Sequence, residues 1–221
     1  MPLRSLGFMV CLFSLVGSVA NAESKLVAVE QAPAGLSEKV SAALAPIGQQ
    51  LVGEDGAVCT IWLTKEIATK PDFKSSLNVK YPFLAGHFVG ALRVDKESEF
   101  TDFRGQEVPA GVYTLRYAQQ PVDGNHIGTS ELYDFLLAIP AAVDEDPAPV
   151  TAMQTLMMKS AKATGSNHPG IFSLLPPEES DNAPAVIHDE SKEFWIMSLQ
   201  AKSAKGAATP MRIVVVGVSE G

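Results

Sequence analysis

The stretch VYTLRY at residues 112–117 alternates between apolar and polar side chains, as a half-buried β-strand does. Tyr113, Leu115 and Tyr117 fall on one face, and the residues between them fall on the other. The turn-forming residues PAG at 109–111 stand immediately before the stretch. The stretch therefore predicts a strand that buries one face, in a protein built mainly from strands.

Similar short runs, bounded by turn residues, occur on both sides of this strand. They predict strands at residues 25–30, 58–65, 87–94, 99–103, 134–139, 170–175, 184–188, 193–202 and 211–218. The last two flank a run of small residues and are expected to form a hairpin. Helices are predicted from Ser37 to Ala45 and from Thr151 to about Ala163, each starting at a capping side chain.

The order of these elements indicates the fold class. Helices do not alternate with strands along the chain, so a parallel α/β fold is excluded. We expect a mainly β protein, an antiparallel β-sandwich or jelly-roll-like fold with two peripheral helices. The acidic, proline-containing stretch 144–149 has the composition of a linker, but residues 23–221 are expected to form a single domain.

The N-terminal 22 residues have the features of a secretory signal peptide. A single charge at Arg4 precedes an apolar run at 6–16, and Ala20-Asn21-Ala22 places small residues where a signal peptidase cuts. The alternative is an uncleaved anchor, for which the apolar run is short. We therefore expect a secreted or periplasmic protein that begins near Glu23 and has no membrane span after it.

The charge balance restricts the partners. The chain has 25 acidic residues against 17 lysines and arginines, a formal net charge of −8. A negative surface repels phosphate backbones, so nucleic acid is excluded as a partner. Cys59 is the one cysteine beyond the signal peptide, and it lies in an apolar strand. Burial in that strand is expected; a reactive exposed thiol is the alternative.

Two loops present Asn-His among glycines and prolines, at residues 120–130 and 164–170. Imidazole and carboxylate groups together bind divalent transition metals. If the loops lie at the same end of the fold, His126, His168, Asp123 and Asp134 form a candidate metal site. The alternative is that both loops are structural turns, with Asx-turn chemistry at Asp123.

Other side chains have a functional and a structural interpretation. Arg104, Arg116 and Tyr133 would make an edge that recognises anions, or Arg116 would be a solvated cross-strand partner. Trp62 and Trp195 would stack on a sugar, or belong to the core.

The region around residues 103–116, which reads FRGQEVPAGVYTLR, resembles exported bacterial proteins of unknown function. Those proteins carry a Pro-Ala-Gly-x-Tyr-x-Leu turn and strand in a β-sandwich. The segments at 123–126, 134–137 and 167–169 are similar to the same group. The resemblance implies an exported β-rich domain and brings no activity, cofactor or catalytic residue.

The sequence lacks the Gly-x-Ser-x-Gly, His-Glu-x-x-His, phosphate-loop and dinucleotide motifs of common enzymes. An exported, non-catalytic domain that binds an unknown small ligand or an envelope protein is therefore expected. The alternative is a metal-dependent enzyme with its site in the loops around His126 and His168. A structural subunit of an envelope complex is a third interpretation.

Overall fold

The computed structural model describes residues 24–95, 100–121, 131–178 and 182–219. In chain order, the elements of these segments are β1 (Lys25–Val29), α1 (Glu38–Ala43), β2 (Gly48–Gly53), β3 (Gly56–Leu63), β4 (Phe88–Val94), β5 (Gly111–Gln119), β6 (Asp134–Pro140), α2 (Met153–Thr164), β7 (Gly170–Leu175), β8 (Ala185–Asp189), β9 (Phe194–Lys202) and β10 (Ala208–Val216). A short 3-10 turn, Ala141–Val143, follows β6.

The strands form one antiparallel sheet in the order β1-β2-β3-β4-β5-β6-β7-β10-β9-β8. The first seven strands are neighbours in the order in which they occur along the chain. The hairpin of β9 and β10 then joins β7 through β10, which leaves β8 as the last strand. The two end strands, β1 and β8, contact each other, so the sheet is nearly closed and barrel-like.

The mainly β class, the antiparallel pairing and the two helices are confirmed, whereas the sandwich or jelly-roll layering is not confirmed. An alternating pattern identifies the buried face of each strand, but it does not say whether those faces belong to one curved sheet or to two packed sheets. The predicted hairpin at the end of the chain is confirmed by the pairing of β9 with β10.

The face of β5 that was predicted to be buried points into the interior that the curved sheet encloses. Tyr113, Leu115 and Tyr117 belong to a large interior cluster that draws on most of the strands. The segment between β3 and β4 is a loop, as expected, yet its end fills the interior. Tyr81 and Phe83 are fully buried there, with ring centroids 5.1 Å apart. Burial of aromatic rings of this size supplies much of the stability of a small core.

The outside of the sheet is covered by the helices in two places. α1 lies over Trp62, which is fully buried with Val40 and Phe88. α2 packs Leu156 against the outer face of β6. The Ser160 hydroxyl of α2 also donates to Ala138 O of that strand at 2.8 Å.

The helix ends agree in part with the sequence. Ser37 is the N-cap of α1, because its hydroxyl oxygen accepts from Val40 N at 3.2 Å. The predicted cap of α2 at Thr151 is wrong: Ala152 holds the cap position, with no side-chain hydrogen bond. Gly165 ends α2 with a φ of 65°, a left-handed conformation that glycine adopts without strain.

Two strands differ from the prediction. β2 was not predicted, and the strand predicted at 99–103 is not formed by the described residues 100–103. Asp102 holds that segment instead, since its carboxylate accepts backbone N–H groups of Arg104, Gln106 and Ile171 at 2.8–3.1 Å. Hydrogen bonds to the Asp102 carboxylate therefore hold this segment in place of the backbone hydrogen bonds that a strand would form.

Candidate functional site

The line along which the sheet nearly closes, between β1 and β8, is the seam. β8 is short, and its pairing with β9 stops at Ala185↔Ser198. Within the described chain, residues 199–202 of β9 therefore have no partner strand on the seam side. Beyond β3, Ile67 N donates to Lys202 O at 2.7 Å and ties the two sides together. The hydrogen bond from Ile67 to Lys202 thus bridges the chain after β3 and the end of β9, and the sheet is open beside this bond.

A pocket of about 290 Å³ lies at this opening, and we call it the seam pocket. Its apolar surface comes from the inner faces of β3 and β9 and from the chain before β2. Polar groups of glutamine, threonine and lysine stand among them. The lining is Ala45, Pro46, Ile47, Gln49, Ile61, Leu63, Thr64, Lys65, Pro184, Leu199, Gln200 and Lys202.

The alternation of β2 and β3 explains which side chains reach the pocket. Gln49 pairs with Ile61 in register, and both lie on the inner face. Gln50, the next residue of β2, lies on the outer face, where its amide donates to the Thr60 hydroxyl at 3.3 Å. Leu199 of β9 supplies the opposite wall and is buried. The sequence did not indicate this site, because β2 was not predicted.

Arg116, a candidate for recognising anions, is instead part of a buried structural ion pair. Its guanidinium donates to both oxygens of Asp144, at 2.7 and 3.1 Å. Its remaining hydrogens reach the carbonyl oxygens of Gly86, Asp146 and Ala148 at 2.6–2.9 Å. All five N–H donors of the guanidinium are thereby used, so Arg116 has none left for a ligand.

Residues 144–149 have the composition of a linker, but the Arg116–Asp144 pair ties them to β5. Asp144 is buried, and Thr114 also donates to its carboxylate, at 2.6 Å. Burial alone would raise the pKa of Asp144, but the hydrogen bonds from Arg116 and Thr114 and the charge of Arg116 outweigh burial and lower it. The stretch is a strap over the outer face of β5, fastened by this pair.

The four residues of the predicted metal site have different places. His126 and Asp123 lie outside the described residues. His168 is exposed, and Asp134 is fully buried. Asp134 accepts from Lys80 N at 2.5 Å and from the Tyr117 hydroxyl. Burial raises the pKa of Asp134 more than these hydrogen bonds lower it.

The register of β6 and β7 separates His168 from Asp134. Asp134 is the first residue of β6, whereas Gly170, two residues beyond His168, pairs with Ala138. Four residues of strand span about 13 Å. The two side chains therefore lie toward opposite ends of β6 and are not brought together. The complete metal site stays a prediction, because two of its members are outside the described chain.

Among the described residues, no group of three or more His, Cys, Asp or Glu side chains is placed to hold a metal ion. Cys59 is fully buried, as expected, and burial raises the pKa of its thiol strongly, with the charge of Asp95 adding to the effect. Trp62 is fully buried and Trp195 half-buried, so only Trp195 has a face that solvent reaches.

No family of known proteins, no curated protein and no solved structure matches this chain. The resemblance at residues 103–116 therefore stays a prediction. At its turn motif, the Tyr113 hydroxyl donates to Pro109 O at 2.6 Å and closes the turn onto the strand. No helix in the described segments is long and apolar enough to cross a membrane. The class that these segments define is a mainly β domain with a pocket at the seam of a nearly closed sheet.

Proposed function

We propose that this protein is an exported, non-catalytic binding domain that holds a small, largely apolar ligand in the seam pocket. The observation that carries the proposal is the pocket itself. Its volume of about 290 Å³ is near the lower end of the range for small-molecule sites. Apolar walls with a few polar groups are also typical of such sites.

The chemistry of the lining supports binding rather than catalysis. Among the described residues, the pocket lining includes no His, Cys, Asp or Glu, and its two lysines, Lys65 and Lys202, are exposed to solvent. Gln49 and Thr64 offer neutral donors and acceptors that orient a ligand without reacting with it.

Filling the pocket should weaken the binding of a neutral apolar probe. We expect the dye N-phenylnaphthylamine to bind the wild-type protein with increased fluorescence. Gln49→Trp should weaken that binding at least tenfold, or about 1.4 kcal/mol, because the indole occupies the space of the ligand. A fluorescence titration measures both.

Gln50→Trp is the matched control, because it makes the same change at the next residue of β2, on the outer face of the sheet. It should bind the dye as the wild type does. Thermal unfolding checks that both variants fold. Equal binding by the wild type and folded Gln49→Trp, or no binding by the wild type, would overturn the proposal.

Export rests on the sequence of residues 1–22. We expect the protein recovered from the periplasm or the medium of a producing bacterium to begin at Glu23. N-terminal sequencing or intact mass measures this directly. Recovery of the envelope protein with Met1 and the apolar run still attached would contradict cleavage and favour an uncleaved anchor.

A further inference from the structure

We infer that the ligand of the seam pocket is an alkyl monocarboxylate, a fatty acid of medium chain length, whose carboxylate lies between Lys65 and Lys202 at the rim. This inference rests on the proposed binding function and adds the chemical class of the ligand.

The charge of the pocket is opposite to that of the protein. The chain carries 25 acidic residues against 17 lysines and arginines. Among the described residues, the lining nevertheless contains Lys65 and Lys202 and no acidic side chain. Both lysines are exposed, and within the described segments neither forms an ion pair with a carboxylate. Two positive charges that no carboxylate of the described residues pairs with favour an anionic group at the rim.

The backbone fixes the two lysines on facing sides of the opening. Lys65 follows β3, and its N–H donates to Ala43 O of α1 at 2.9 Å. Lys202 ends β9, and its carbonyl oxygen accepts from Ile67 N at 2.7 Å. A single residue, Glu66, separates Lys65 from Ile67, so the bridge across the opening keeps Lys65 and Lys202 close to each other. The site is therefore held by the fold rather than by the long side chains alone.

The Lys65 side chain is partly positioned but not saturated. Its Nζ donates to Ala42 O at 2.7 Å, at the last turn of α1. An ammonium group has three hydrogens, so two remain for a carboxylate. Hydrogen bonds between charged groups are shorter and stronger than those between neutral groups. The Ala42 carbonyl thus holds the ammonium at the rim while leaving it able to bind.

Below the rim the pocket walls are mainly aliphatic, with Gln49 as the polar side chain of the inner face. Ile61, Leu63 and Leu199 form the walls and belong to the interior cluster of the sheet or pack against it. Each methylene that leaves water for such a surface tightens binding about fourfold. A ligand with an anionic head and a saturated tail satisfies both parts of the pocket, whereas a sugar or a nucleotide would leave polar groups against the apolar walls.

The test compares octanoate with octanol, which has the same tail and a neutral head. Both displace N-phenylnaphthylamine from the wild-type protein at neutral pH and low salt, and the dye fluorescence gives their affinities. We expect octanoate to bind more tightly than octanol. Lys65→Met and Lys202→Met should each weaken octanoate about fivefold, because exposed charges interact modestly. The double variant should bind octanoate no better than octanol.

Lys205→Met is the matched control, since Lys205 is an exposed lysine of the β9–β10 turn outside the pocket lining. It should leave both affinities unchanged, and thermal unfolding checks the folding of all variants. If octanol displaces the dye and octanoate binds no better, the carboxylate inference is overturned and the binding function stands. If Lys205→Met weakens octanoate as much as the rim variants, the inference is also overturned. If neither compound nor the dye binds, the proposed function itself fails.

Discussion

Replacing Arg116 with methionine should lower the free energy of unfolding by about 3 kcal/mol, because the change removes the buried partner of the Asp144 carboxylate. Asp144 keeps a second counter-ion, Lys159 at 3.2 Å, but that side chain is 31% exposed. The side chains of Arg116 and Asp144 are 0% and 1% exposed to solvent, so water does not replace the lost hydrogen bonds. Two carbonyl oxygens of the strap, Asp146 O and Ala148 O, also lose the hydrogen bonds that Arg116 donates to them. Urea unfolding of both proteins at neutral pH measures the difference.

Lys39→Met is the control for this prediction. Lys39 pairs with Asp146 at 2.7 Å, but the side chains are 71% and 53% exposed. Removal of this exposed pair should leave the free energy of unfolding almost unchanged. A loss from Arg116→Met as small as that from Lys39→Met would show that the buried pair does not fasten the strap.

The difference between the wild type and Arg116→Met should also depend on pH. The pKa of Asp144 is lowered in the folded protein, so the stability that this carboxylate contributes is present above its unfolded pKa of about 3.9. That stability is lost as the pH falls through the lowered folded pKa. The free energies of unfolding of the wild type and Arg116→Met, measured at a series of pH values, should therefore converge in acid. The raised pKa of Asp134 acts in both proteins and cancels from the comparison.

Replacing Trp62 with alanine should cost about 3–5 kcal/mol in the free energy of unfolding, as for other large aromatic residues in a core. Trp62 is 0% exposed and fills the space between α1 and the outer face of β3. Gly48 cannot supply a side chain to fill the resulting cavity. The fit is so close that a Cβ at Gly48 would lie 2.5 Å from the indole. Urea unfolding measures the loss.

Two further variants, Trp62→Phe and Trp195→Ala, test this prediction. The Trp62 Nε1 is buried and has no hydrogen-bond partner among the described residues, so Trp62→Phe removes an unsatisfied donor together with part of the ring. It should therefore cost clearly less than Trp62→Ala. Trp195→Ala should also cost less, because Trp195 is half-buried and stacks on His188 at 4.1 Å near the edge of the sheet. A larger loss from Trp195→Ala than from Trp62→Ala would contradict the core assignment.

The strands were predictable where burial of one face leaves a clear pattern. β5 and β3 carry large side chains on their inner faces, and their facing agrees with the prediction, as Cys59 and Ile61 show. β2 has no such pattern. Its sequence GQQLVG begins and ends with glycine, and glutamine falls on both faces. Pairing between β1 and β3 makes this segment a strand, and that pairing is not encoded in the segment itself.

The seam pocket was not predictable for a related reason. Its residues come from positions 45–49, 61–65, 184 and 199–202, which meet only when the sheet nearly closes. The alternation along a strand does not say which strand lies beside it. The burial of Arg116 was not predictable either. Arg116 lies on the outer face of β5, and the outer face of a sheet is usually exposed to solvent. The strap that covers it had the composition of a linker.

The strand order also determines when each part of the protein can be completed during synthesis. From β1 to β7, every strand pairs with the strand made just before it, so these contacts are available as the chain elongates. The pairing of β7 with β10 skips two strands, and the bond from Ile67 to Lys202 joins segments far apart in the chain. A nascent chain that ends before β9 has seven strands in register and no second wall for the pocket. The seam pocket is thus lined only after β9 has been made, later than every strand from β1 to β8.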